Sequence, residues 1–164
     1  MKSILLIILS LSPFCLYSDE PELAAHEQHQ LIEAVDFSTD AALSRREKMP
    51  ILLLVSQDHC PFCVQIKREI LSPMVASGEY RERLLIREIF IDLGTRVRDF
   101  KGKLVDSSTF ALGYKVYLTP TLLFLDPDGK ELTERIVGIQ TPELFFYYVD
   151  HAVQQAIDAL SGKG

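Results

Sequence analysis

Cysteine, positive charge and long apolar runs are all scarce in this chain, and each scarcity removes a class of protein. Three Cys among 164 residues are too few to staple a disulfide scaffold. Seventeen Lys and Arg against 23 Asp and Glu leave a net charge of −6. The cationic excess that neutralises phosphates is missing, so nucleic acid is not expected as a partner. The longest apolar stretch, Ile4 to Leu11, is interrupted by Ser10 and followed by Ser12 and Pro13. A bilayer span needs about twenty apolar residues, so no stable membrane insertion is expected. Internal repeats and low-complexity tracts are absent as well. With 48 % hydrophobic and 24 % charged residues the remainder has a globular composition, and the length suits one domain with one core.

Residues 1–18 have the layout of a cleavable secretory signal: Met1 and Lys2 at the start, the apolar run, then Pro13 and Ser18 before Asp19. Cys15 follows the bulky Phe14, which does not suit a lipidation site, and it is expected to leave with the leader. Residues 19–35 read as a polar lead-in. Residues 36–161 read as the folded domain, exported to a compartment where disulfides can form and persist. Cys60 and Cys63 are then the remaining thiols.

The punctuation of the domain is clear. Ser38, Thr39 or Asp40 could cap a short helix that Pro50 stops. Ile51 to Val55 is continuously apolar, the pattern of a strand buried on both faces. Cys60-Pro61-Phe62-Cys63 opens a helix, with Pro61 at its first position and Val64, Ile66, Ile70 and Leu71 at helical spacing. Ser72-Pro73 breaks it and starts a second helix reaching about Leu84. A strand is expected over 85–91, an irregular connection over 94–103 and a short helix over 106–114. Thr121 to Leu125 and Glu131 to Val137 form a hairpin around Asp126-Pro127-Asp128-Gly129. Thr141-Pro142-Glu143 opens a final helix that buries Leu144, Phe145, Tyr148, Val149, Ala152, Val153, Ala156 and Leu160. Of the rings from Phe145 to Tyr148, two are expected in the core.

This order of elements, with Ile51 to Val55, Cys60-Pro61-Phe62-Cys63, Thr119-Pro120-Thr121, the Phe124-to-Glu131 segment and Gly138, resembles the thioredoxin fold over roughly Asp36 to Leu160. Within it the chain is similar to the secreted subgroup of SoxW-type and related periplasmic disulfide reductases. The fold implied is α/β, a central mixed sheet flanked by helices with a C-terminal hairpin and a final helix.

The resemblance implies a thiol:disulfide oxidoreductase without a cofactor. Cys60, at a helix N-terminus, would have its thiolate favoured and attack a client protein's disulfide; Cys63, one turn on, would resolve the mixed disulfide. His59 when protonated would help Cys60 and Asp58 would oppose it. Pro120 is implied to be cis and to face the sulfurs, with Thr119 offering backbone hydrogen bonds to an extended substrate. His59, Pro61 and Phe62 would complete the docking surface. The implied partners are a disulfide-containing client and a membrane-embedded electron donor, and a monomer is expected.

Two departures stand out. His59 replaces the usual Trp of a chain that has none, and Leu54 occupies the place of the family's buried Asp. Glu88 on the neighbouring strand is a candidate proton acceptor in its stead, against the alternative of a solvent-facing charge. An oxidase or isomerase using the same pair, and a binding module with a structural disulfide, are the alternative readings. A metal is not expected: His26 and His29 are one residue short of the zinc-protease spacing, and Cys60 and Cys63 lack two further ligands.

Overall fold

A computed structural model describes residues 31–162; the expected leader, Cys15, His26 and His29 lie outside the described residues. At its centre is strand β2 (Ile51–Ser56), buried at every position, as its unbroken apolar run requires. The sheet has five strands in the order β1 (Ile32–Glu33), β3 (Leu85–Phe90), β2, β6 (Thr121–Leu125) and β7 (Ile136–Val137). β1 and β3 run parallel to one another, and β3 runs parallel to β2. β6 is antiparallel to β2, and β7 antiparallel to β6.

Alternation along the strands divides the core into two layers. Leu52, Leu54, Ile86, Leu122 and Phe124 pack against Ile66, Ile70 and Leu71 of the Cys-bearing helix and against the last helix. Ile51, Leu53, Val55, Leu85, Ile89, Leu123 and Leu125 pack on the opposite side, with Phe37 and Phe110. There Phe37 stacks on Phe110 at 4.6 Å and on Phe100 at 5.1 Å between ring centroids.

Helix α1 (Phe37–Glu47) is capped by Asp36, whose carboxylate accepts from the backbone N–H of Ser38 and Thr39. Asp36 therefore does the work expected of Ser38, Thr39 or Asp40. Asp40 instead receives Arg87 at 2.6 Å in an ion pair almost wholly removed from solvent.

The Cys-bearing helix is one continuous rod with a changed pitch. α2 (Pro61–Ile66) passes through a π-helical turn, Lys67–Leu71, into α3 (Ser72–Ser77). Pro73 has no N–H to donate, and the Ser72 N–H bonds to Lys67 O, so a wider turn absorbs the expected break. The rod stops at Gly78 (φ 71°), not near Leu84. Tyr80 just beyond is buried and donates to Asp150 at 2.7 Å, which ties this turn to the last helix.

The stretch 94–103, expected to be irregular, carries the first strand and the turn of a small hairpin, β4 (Arg96–Arg98) with β5 (Leu104–Asp106), beside α4 (Ser107–Gly113). The expected strand over 131–137 is reduced to β7. Glu131 bridges to Leu125 and the Leu132 N–H donates to Phe124 O at 2.8 Å, but Ile136 pairs with Leu122, two residues out of step, so the chain bulges between Leu132 and Ile136. Arg135 in the bulge donates to Tyr114 O at 2.6 Å and pairs with Glu131. Ile32–Glu33, within the expected lead-in, is an edge strand of the sheet. In α5 (Phe145–Leu160) only Phe145 of the four rings is buried; Leu144 and Tyr148 are exposed.

The 126–129 turn shows how tightly the hairpin is docked. Gly129 has φ +78°, and a Cβ there would meet the Phe100 ring at 2.6 Å and Tyr114 Oη at 2.8 Å. Gly129→Ala thus combines left-handed strain with a clash against two rings. It is expected to cost about 2 kcal/mol in a denaturant titration.

Candidate active site

Strand β2 delivers the chain to the site through Gln57-Asp58-His59. The Asp58 N–H is held by both carboxylate oxygens of Asp92, at 3.1 and 3.2 Å, which fixes this loop against the end of β3. Cys60 follows as the N-cap of α2 in extended conformation, with Pro61 at the first helical position. Its Sγ accepts the Cys63 N–H at 3.1 Å. The N-terminus of α2 therefore directs an otherwise unpaired donor onto the first sulfur.

Cys60 and Cys63 are joined in a disulfide, with Cα atoms 5.2 Å apart. The pair is asymmetric: Cys63 is wholly buried, whereas Cys60 is partly open. The Thr119–Pro120 peptide bond is cis, with Pro120 buried. Thr119 Oγ1 lies 3.8 Å from Cys60 Sγ and 2.7 Å from Gln57 Oε1. Thus Cys60, Cys63 and Thr119 come together from the α2 N-terminus and the start of β6.

The other expected residues fall into two groups. His59, Pro61 and Phe62 stand on the exposed rim; His59 pairs with Asp58 at 2.8 Å and projects into solvent, and Phe62 is 60 % exposed. Glu88 lies inside. It is 5 % exposed, paired in register with Leu54, and on the side of the sheet covered by the Cys-bearing helix. Its buried Oε1 has no hydrogen bond; Lys67 Nζ stands 2.9 Å away, off the line of one, so charge alone meets this oxygen. Lys67 also lies over the Phe90 ring, 5.0 Å from its centroid. The solvent-facing alternative for Glu88 is therefore excluded.

Sequence reasoning missed Gln57, Lys67, Tyr117 and Leu118. Lys67 is four residues after Cys63 and so shares its helix face, but a Lys among Arg68 and Glu69 looks like any solvated charge. Tyr117 and Leu118, 75 % and 66 % exposed just before Thr119, read as turn residues in the sequence. Among the described residues no group of three or more His, Cys, Asp or Glu could hold a metal, and no helix is long and apolar enough to cross a membrane.

Comparison with known proteins agrees with this geometry. The sequence profile of the thioredoxin-like domain matches residues 37–152. The chain belongs to the thioredoxin-like family. Its solved neighbours include a thioredoxin from Thermus thermophilus, with 20 % identity, 79 % of this chain and 91 % of that chain covered, and a TM-score of 0.54. The oxidoreductase DsbH matches with 20 % identity, coverage of 87 % and 95 %, and a TM-score of 0.53. Thioredoxin O2 from Arabidopsis thaliana in its oxidized state matches with 19 % identity, coverage of 79 % and 95 %, and a TM-score of 0.51. At these identities the likeness is one of fold. No curated protein matches the chain in sequence. A thioredoxin-like domain with a close Cys60–Cys63 pair fits a thiol:disulfide oxidoreductase.

Proposed function

We propose that this protein is an exported thiol:disulfide oxidoreductase that reduces client disulfides in the periplasm, of the SoxW-type reductase kind. The observation that carries the reading is the asymmetry of the pair, an accessible Cys60 at a helix start beside a sealed Cys63. An exchange catalyst needs one sulfur that clients can reach and one that they cannot.

In the reduced protein, Cys60 thiolate attacks one sulfur of the client disulfide. A Cys60–client bond forms, the client S–S bond breaks, and one client thiolate leaves and takes a proton from water. Cys63 then loses its proton and attacks Cys60 Sγ. The Cys60–Cys63 bond forms and the second client thiolate departs. Two electrons pass from the pair to the client, and a membrane-embedded donor restores the dithiol.

Glu88 is assigned the proton that Cys63 gives up. It is a buried carboxylate in the layer beneath the Cys-bearing helix, and one of its oxygens is free of hydrogen bonds. Lys67, from the turn after Cys63, holds it in place. The Thr119 backbone receives the extended client, with His59, Pro61 and Phe62 forming the rim. The protein works as a monomer, and the features of residues 1–18 support export.

Equilibrating the pair with a dithiothreitol or glutathione buffer tests the direction. A reductase is expected near the thioredoxin value of about −270 mV; a value near −120 mV would make the protein a disulfide donor and overturn the reading.

A further inference from the structure

The Thr119 hydroxyl has one hydrogen and two acceptors within reach. Gln57 Oε1 stands at 2.7 Å and Cys60 Sγ at 3.8 Å. With the pair oxidised, Sγ carries no charge and the short contact takes the hydrogen. When Cys60 becomes a thiolate, a full negative charge appears at the second acceptor, and bonds to an ionised acceptor are about twice as strong as neutral ones. Rotation about the Thr119 Cα–Cβ and Cβ–Oγ1 bonds is all that the exchange requires.

We propose that Gln57 is a positioning residue that competes with the Cys60 thiolate for the Thr119 hydroxyl and so sets how readily Cys60 ionises. The inference rests on Cys60 being the attacking thiol. Gln57 leaves β2 three residues before Cys60 on a loop clamped by Asp92, so its amide is held beside the site while its side chain remains exposed. In the reduced protein the thiolate keeps the Cys63 N–H, 3.1 Å away in the disulfide form, and gains the Thr119 hydroxyl as a second donor. Gln57 lessens that gain because it offers the hydroxyl a rival acceptor. The neighbouring charges are the Asp58–His59 pair on the same loop, Asp92 just beyond β3, and the Glu88–Lys67 pair beneath the Cys-bearing helix. None of them is altered by the substitutions below.

The test is the rate of iodoacetamide alkylation of the fully reduced, full-length protein, at a pH below the midpoint of the wild-type Cys60 titration. The modified residue is identified by mass spectrometry. Thr119→Val keeps the shape and removes the hydroxyl, and is expected to slow Cys60 alkylation by about tenfold, the worth of one hydrogen bond to an ionised sulfur. Gln57→Leu removes the rival acceptor and is expected to accelerate it several-fold. In the Thr119→Val background, Gln57→Leu is expected to change nothing, because no hydroxyl is left to release. A Gln57→Leu protein that reacts at the wild-type rate or slower, or whose acceleration persists in the Val background, overturns the inference. Preferential labelling of Cys63 in the wild type would instead overturn the assignment of Cys60 as attacking thiol, so the two failures are distinct.

Discussion

Cys63→Ser is expected to turn the catalyst into a trap. Cys60 remains at the α2 N-terminus and open to a client, so the first exchange proceeds and a mixed disulfide forms. The wholly buried position that should supply the second sulfur now holds a hydroxyl, which does not displace a thiolate. Turnover with a disulfide peptide in excess should fall below detection, while a Cys60–peptide adduct accumulates on non-reducing electrophoresis and in the mass spectrum. Cys60→Ser should lose turnover equally but form no adduct, because Cys63 is sealed beneath the rim. An adduct on the Cys60→Ser protein would reverse the two roles. Two unreactive variants beside a wild type that also fails to turn over would favour a binding module with a structural disulfide.

The second large effect concerns Glu88. If its carboxylate takes the Cys63 proton, Glu88→Gln removes the acceptor while keeping the shape and should slow resolution by about a hundredfold, the usual worth of a positioned base. Alkylation of Cys60 in the reduced protein should be spared. Stopped-flow decay of a preformed Cys60–peptide adduct isolates this step. Unchanged decay and an unchanged pH profile would remove Glu88 from the mechanism.

Stability provides an independent readout. Lys67→Met strands a carboxylate that is 6 % exposed in its side chain. Its expected cost in chemical denaturation is about 2 kcal/mol, less than for a fully enclosed pair because Lys67 keeps 27 % of its side-chain exposure. Glu88→Gln combined with Lys67→Met should recover most of that loss, since no buried charge remains.

Much of this protein was legible in its residues because the signals were local. The apolar run Ile51 to Val55 could only be a central strand, Cys60-Pro61 could only begin a helix, and Asp126 to Gly129 could only turn. Elements built on weak or distant pairing escaped. β1 is two residues long and exists because β3 lies beside it, and the β4–β5 hairpin has only three residues per strand. The second hairpin strand misled because no Gly or Pro separates Glu131 from the β-branched Ile136 and Val137, while the chain bulges between them and Arg135 reaches Tyr114. The ring-rich start of α5 misled for a related reason: helical spacing says which residues share a face, but not how far the neighbouring layer extends to cover it.

By itself, then, the sequence determined the fold class, the Cys60–Cys63 pair at a helix start and the Thr119-Pro120 segment, since each is written in contiguous residues with restricted backbone geometry. Tertiary structure decided everything that depends on one element meeting another. It buried Glu88 by placing it in register with Leu54 under the Cys-bearing helix, and it brought Lys67 to it. It also set the Thr119 hydroxyl between Gln57 and Cys60. A carboxylate's environment and a hydroxyl's choice of acceptor come from groups far apart in the chain, and no local pattern of residue types encodes them.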